Sequence, residues 1–300
     1  MINGIIVIQK EAGYTSHDVV AKMRGICGQK KIGHTGTLDP EATGVLPVCL
    51  GSGTKLCDML ADRDKEYVAE LLLGMETDTQ DTTGKVLAER PVEVTEEEVR
   101  RACDSFVGEY AQVPPMYSAL KVNGKKLYEL ARAGLEVERK ARPVVIHKLE
   151  ILEFRLPAVV FSVSCSKGTY IRTLCADIGQ KLGCGGTMAH LKRTRVGEFC
   201  LEDAVTLEQL QGMKEEGRLA DAVLPVDSVF GKCPAMHVSA ELLNLLKNGN
   251  VLRTEQTEEK RVYSPGEWIR VYGANEAFAG IYAFESRREC YIPVKMFLPL

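Results

Sequence analysis

An α+β (mixed α/β) architecture is predicted by two observations: helical and strand periodicities interleave through residues 1–228, and residues 229–300 turn to a mostly strand-like pattern. Residues 4–8 are a short apolar strand, and Ser16 is placed to cap a helix whose Val19, Val20, Met23, Ile26 and Cys27 share a face until Gly28. Strands follow at residues 45–50 and 67–73. Thr95-Glu96-Glu97-Glu98 is a capping box, continued by Val99, Ala102, Cys103 and Phe106 at helical spacing until Gly108. A short helix is expected over residues 125–133, and strands over residues 144–154 and 158–165 meet around Pro157 as a hairpin. A helix beginning near Tyr170 carries Ile171, Leu174, Cys175, Ile178 and Leu182 as its apolar stripe, with Arg172 at the edge. In the last part a helix is expected over residues 238–246, then strands at 268–272, 278–284 and 290–294, with a loop at residues 273–276.

Length and composition narrow the class. A chain of 300 residues exceeds what one core ordinarily holds, so two domains are expected, residues 1–228 and 229–300. With 45% hydrophobic and 26% charged residues, the chain has the balance of an ordinary globular protein. No run approaches the ~20 apolar residues of a membrane span, and Met1-Ile2-Asn3-Gly4 lacks the basic start of a secretory signal. A cytoplasmic protein without a membrane role is expected. The ten cysteines form no C-x-x-C pair and sit mostly among apolar neighbours, so they read as reduced, core-filling thiols. Cys184 and His190 lack two further ligands at zinc-like spacing, and no metal is expected.

A net charge of −3 does not suggest a nucleic-acid partner, but its distribution does. Lys22, Arg24, Lys30 and Lys31 occur without an acid between Val19 and Leu38. Eight basic residues against three glutamates lie between Lys121 and Lys148, and Lys192-Arg193-Thr194-Arg195 forms a third group. The acids gather elsewhere, from Glu93 to Asp104 and from Glu202 to Glu216, which predicts one basic face. From Gly231 to Leu300 nine basic residues meet eight acidic ones, so the tail offers little electrostatic grip.

The densest chemical signal is Gly33-His34-Thr35-Gly36-Thr37-Leu38-Asp39-Pro40-Glu41-Ala42-Thr43-Gly44, which sets one carboxylate among glycines and small hydroxyl residues. Pro40 steers Asp39 away from helical angles, so the carboxylate belongs to an extended or turning loop. No G-x-x-x-x-G-K-[ST] sequence is present, which removes a phosphate-loop nucleotidase. The loop closely resembles the catalytic loop of the pseudouridine synthases that modify the T-loop of tRNA, the TruB family. Lys65-Glu66-Tyr67, Pro114-Pro115-Met116-Tyr117-Ser118-Ala119-Leu120-Lys121, Ser166-Lys167-Gly168-Thr169-Tyr170-Ile171-Arg172, Leu191 and the stretch from Arg193 to Phe199 are similar to further segments of that family, in the same order, over about the first 228 residues.

The resemblance implies a pseudouridine-synthase catalytic fold around a mixed, largely antiparallel sheet, followed by a PUA-like C-terminal domain. It implies isomerisation of uridine 55 in the tRNA T-loop, with Asp39 as nucleophile, Arg172 as its counter-ion, and Tyr67 stacked on the uracil as a candidate acceptor of the C5 proton. His34 would fill the space left by the turned-out base, and Tyr170 and Leu191 would wall the uracil pocket. Lys121 is a candidate structural anchor for the Asp39 loop. The reaction requires no cofactor, and tRNA is the only partner implied, with a monomeric protein. Attack by Asp39 at C1′ and attack at C6 both stay open. A tRNA-refolding chaperone is the alternative from a different class; the presence of Asp39, Tyr67 and Arg172 together favours catalysis.

Overall fold

The computed structural model describes residues 1–122, 124–273 and 276–298. Nine strands form one mixed sheet, whose main path runs Gly4–Lys10, Thr43–Leu50, Gly186–Val196, Lys65–Leu73, Ala158–Cys165, Arg142–Arg155 and Gly108–Gln112. Along this path only Thr43–Leu50 and Gly186–Val196 run parallel; the other neighbours are antiparallel. The mixed, largely antiparallel sheet is the expected one.

Alternation along the strands assigns each side chain to a layer. Tyr67, Ala69, Leu71 and Leu73 share a buried cluster with Val159, Phe161 and Val163, covered by Val99 and Ala102 of helix Glu96–Asp104 and by Leu174 and Ile178 of helix Ile171–Lys181. Ile6, Ile8, Leu46 and Val48 face Val19, Val20 and Met23 of helix Ser16–Cys27 and Leu210 of helix Leu207–Glu215. Ile5, Val7, Val45 and Cys49 turn to a third cluster with Leu56 and Phe230. Each such side chain contributes about 1.5–3 kcal/mol when fully buried, so these three clusters hold the sheet that carries the site.

Several local expectations are corrected. The first helix is capped by Thr15, which forms a capping box with Asp18, and Ser16 is its first residue, buried against the Asp39 loop. The box at Thr95 is formed as expected, the Glu98 carboxylate accepting from the Thr95 amide at 2.8 Å. Helix 125–133 shortens to Leu127–Arg132, because Lys125–Lys126 pairs with Lys121–Val122 as a small hairpin. The helix over 238–246 shortens to Leu243–Lys247 after a 3-10 turn at Ala240–Leu242, since Ala235–His237 extends as a strand beside Trp268–Tyr272. Strands Gly186–Val196 and Gly108–Gln112 were not expected at all.

A second sheet orders Ala235–His237, Trp268–Tyr272, Phe278–Glu285, Cys290–Met296 and Leu252–Arg253 around Met236, Ile269, Val271, Tyr282 and Tyr291. Residues 274 and 275 of the loop expected at 273–276 lie outside the described residues. This sheet is bound to the first, because its Ile281 and Phe297 enter the cluster of Ile5, Val7 and Leu56. The Lys55 ammonium also donates to the Met296 carbonyl at 2.7 Å.

Candidate active site

Asp39 occupies an irregular loop between Ile32–His34 and Thr43–Leu50, as its Gly-rich, Pro-bearing sequence requires. The loop is held on both sides of the carboxylate. Ser16 Oγ accepts from the Leu38 amide at 2.9 Å. Lys10, at the end of the first strand and 1% exposed, donates its Nζ to the Pro40 carbonyl at 2.8 Å and the Glu11 carbonyl at 2.9 Å. Burial pulls the Lys10 ammonium down to about 8, against the raising fields of Glu41 and Asp39. Lys121 stands exposed on the Lys121–Lys126 hairpin, and among the described residues no hydrogen bond or ion pair joins it to the loop. Lys10 makes the contacts that hold the loop on this side.

Helix Ile171–Lys181 begins beside this loop, and its second residue brings the guanidinium to the carboxylate. Arg172 Nε lies 3.0 Å from Asp39 Oδ2, and Nη2 donates to Oδ1 at 3.4 Å. The remaining donors go to the Tyr117 carbonyl at 2.9 Å and the Thr79 carbonyl at 3.0 Å, with Asp81 Oδ2 at 3.6 Å. So the arginine at the stripe's edge is a buried fork, not a surface residue, its side chain 6% exposed. Burial raises the Asp39 pKa above its ordinary value, Arg172 opposes the rise, and the nearby Asp81 adds to it.

Tyr67, 8% exposed, lies on the same buried cluster as Leu38 and Ala42 of the loop. Arg193 stands directly across from Tyr67 and Leu191 across from Ala69 on the neighbouring strand, so these four side chains share one face of the sheet. Leu191 is partly buried against that cluster. Tyr170 caps the Arg172 helix, and its backbone is fixed by Gln112, which donates to the Tyr170 carbonyl at 2.9 Å and accepts from its amide at 2.8 Å. The phenol of Tyr170 feels both Arg172 and Asp39, while burial raises its pKa. His34 ends the strand that leads into the loop, edge-on to His17 with ring centroids 5.2 Å apart. Its Nδ1 faces the Gly36 amide at 3.3 Å as acceptor, leaving the proton on Nε2. Burial, then the charges of His17 and Arg193, pull His34 down to about 4, so the ring is neutral near pH 7.

Asp39, Arg172, Tyr67, Tyr170 and Leu191 are thus brought together where the strands meet the loop, with His34 at the loop's entry. Sequence reasoning missed Lys10, Ser16, Asp81 and Arg193. Lys10 left a faint signal as a lone cation closing an apolar strand; Asp81 sat in a polar turn that announced nothing. The third basic group is also corrected: Arg193 is buried, Arg195 pairs with Glu66, and only Lys192 is exposed. Lys22, Arg24, Lys30 and Lys31 are exposed as expected.

Comparison with known proteins places the chain in a family. Residues 24–171 match the family described as TruB family pseudouridylate synthase (N terminal domain), and residues 172–231 match the tRNA pseudouridylate synthase B C-terminal domain. The chain is 46% identical over 98% of its length to the tRNA pseudouridine synthase B of Alkaliphilus oremlandii (strain OhILAs), covering 97% of it. It is 50% identical over 99% of its length to that of Lachnoclostridium phytofermentans (strain ATCC 700394 / DSM 18823 / ISDg), covering 100% of it. Among solved structures, one chain of a Cbf5-Nop10-Gar1 complex superposes with a TM-score of 0.72 at 27% identity, over 99% of this chain and 85% of that one. A chain of an H/ACA RNP bound to a substrate RNA containing 2′-deoxyuridine gives a TM-score of 0.72 at 26% identity, with 99% and 85% covered. With family models matching residues 24–231 and relatives this similar along nearly the whole chain, the protein belongs to the TruB family of pseudouridylate synthases.

Proposed function

We propose that this protein isomerises uridine to pseudouridine at position 55 in the T-loop of tRNA, with Asp39 as the nucleophile. The observation that carries this reading is the two-pronged contact of Arg172 with Asp39, because a carboxylate can attack only while ionised and partial burial at this site raises its pKa. The relatives' name supplies tRNA as the substrate.

The reaction breaks the N1–C1′ bond, turns the uracil and rejoins it through C5, so it needs a nucleophile and a proton path but no cofactor. Asp39 attacks the nucleotide, at C1′ or at C6, and Arg172 keeps the charge available until bond formation. Tyr67 stacks against the uracil and takes the C5 proton in the last step. Tyr170 and Leu191 wall the base. His34, neutral and flat, occupies the space of the base once it has left the T-loop stack. The exposed lysines of residues 22–31 and of the Lys121–Lys126 hairpin suit phosphate contacts. Residues 1–228 form the catalytic domain in this reading, and residues 229–300 a PUA-like module. The protein acts in the cytoplasm as a monomer.

The test is to incubate the protein and its Asp39→Asn variant with unmodified tRNA and map pseudouridine at single-nucleotide resolution. The unsubstituted protein should modify position 55 alone. Asp39→Asn should bind tRNA within a few-fold and yield no product, since the amide keeps the shape without the nucleophile. Modification elsewhere would overturn the T-loop assignment, and turnover by the variant would remove Asp39 from its role.

A further inference from the structure

Arg193 heads the largest fully buried side chains, 1% exposed, and among the described residues no carboxylate pairs with it. A buried cation without an anion is costly unless its donors are used, so its contacts are informative. Nε donates to the Val45 carbonyl at 2.7 Å and Nη2 to the Gly36 carbonyl at 3.3 Å. Those two carbonyls flank the Asp39 loop. The guanidinium also stands directly across the strands from Tyr67 on the same face of the sheet, and its charge acts on the phenol.

A guanidinium has donors only. Toward the Tyr67 oxygen, its cross-strand neighbour, Arg193 can therefore only donate. Burial raises the Tyr67 pKa, Cys165 and Asp39 also disfavour a phenolate there, and Arg193 is the group that favours one. Resting on the reading of the site given above, we propose that Arg193 is a positioning residue for the last proton transfer, presenting the Tyr67 oxygen to C5 and stabilising the negative charge it bears as acceptor. In that step Tyr67, having first given its own proton to solvent, acts as the phenolate: the C5–H bond breaks and its proton joins the phenolate oxygen. The C5–H electron pair becomes the C5=C6 bond, the C6=N1 pair moves onto N1, and N1 takes a proton from solvent. Tyr67 thus ends with its proton restored, so nothing is consumed. The same guanidinium ties this acceptor to the backbone on either side of the nucleophile.

The test compares single-turnover rates of the unsubstituted protein, Arg193→Gln and Arg193→Lys on tRNA transcribed with ordinary or 5-deuterated uridine, after thermal unfolding and tRNA affinity have been measured for each. Arg193→Gln should slow product formation by roughly a hundredfold and Arg193→Lys by roughly tenfold, since an ammonium cannot hold both carbonyls and face Tyr67 at once. In both, the deuterium isotope effect should exceed that of the unsubstituted protein, because C5–H cleavage has become the slow step. If Arg193→Gln does not fold, Arg193→Lys carries the comparison alone. Slower rates with an unchanged isotope effect would make Arg193 a brace for the loop, and undiminished rates would make it dispensable; either overturns the proposal. If the unsubstituted protein makes no pseudouridine, it is the reading of the site that fails, which is a separate outcome.

Discussion

Asp39 is set between two demands, partial withdrawal from water and retention of charge, and the pair with Arg172 meets the second only in part. Because the carboxyl pKa is raised, the attacking form appears at higher pH than for an ordinary aspartate, and the rate should fall as pH drops through that raised value. Asp81→Asn removes a like charge, so Asp39 should ionise more easily and the acid limb of kcat/KM should move to lower pH. A limb that stays put or moves up would sink this account. His34 offers a different prediction, since its proposed task is to replace stacking and not to move protons. His34→Ala should slow modification of folded tRNA more than of a T-loop analogue whose uridine is already unstacked, by up to a few kcal/mol, the cost of unstacking. Equal losses on both RNAs would place His34 in the chemistry or the fold. Asp39, Tyr67 and Arg172 were legible in the sequence because their neighbours form recognisable strings. Asp81 was not, because a 3.6 Å approach to Arg172 from a separate turn leaves no local mark.

Elements with strong end signals were read well and those shaped by tertiary contacts were not. The Thr95 box and the 67–73 strand announce themselves through capping chemistry and clean alternation. The central strand Gly186–Val196 does not, because irregularities at Met188/His190 and Arg193/Arg195 break its period and its charged residues imitate a surface segment. Its parallel contact with Thr43–Leu50 nonetheless depends on one residue. Gly44 has φ of 102°, and a Cβ there would stand 2.1 Å from the Arg193 carbonyl oxygen. Gly44→Ala should therefore destabilise the protein by about 1–3 kcal/mol in urea unfolding, through overpacking that pushes the two strands apart. A change under about 0.5 kcal/mol, the range of an inert surface substitution, would show that the strands part easily.

Over the whole molecule, the charge of −3 says nothing of the exposed Lys22, Arg24, Lys30 and Lys31, and ionic strength tests them directly as the proposed RNA contacts. Affinity for tRNA should fall by roughly 0.7–0.9 log units per decade of salt for each phosphate contacted, and replacing Lys22, Lys30 and Lys31 with glutamine should flatten the slope. A slope unaltered by those changes would move the RNA to another face. The arrangement of the two sheets was beyond the sequence, since nothing in the run of residues says that Ile281 and Phe297 complete a cluster begun by Ile5 and Val7. That closure has a bearing on synthesis. The first strand leaves the ribosome early, but the side chains that finish covering one of its faces emerge only after nearly the entire chain has been made. At the usual pace of translation that face waits on the order of tens of seconds, a window in which the nascent chain is open to chaperones and to misassembly before it can open a tRNA.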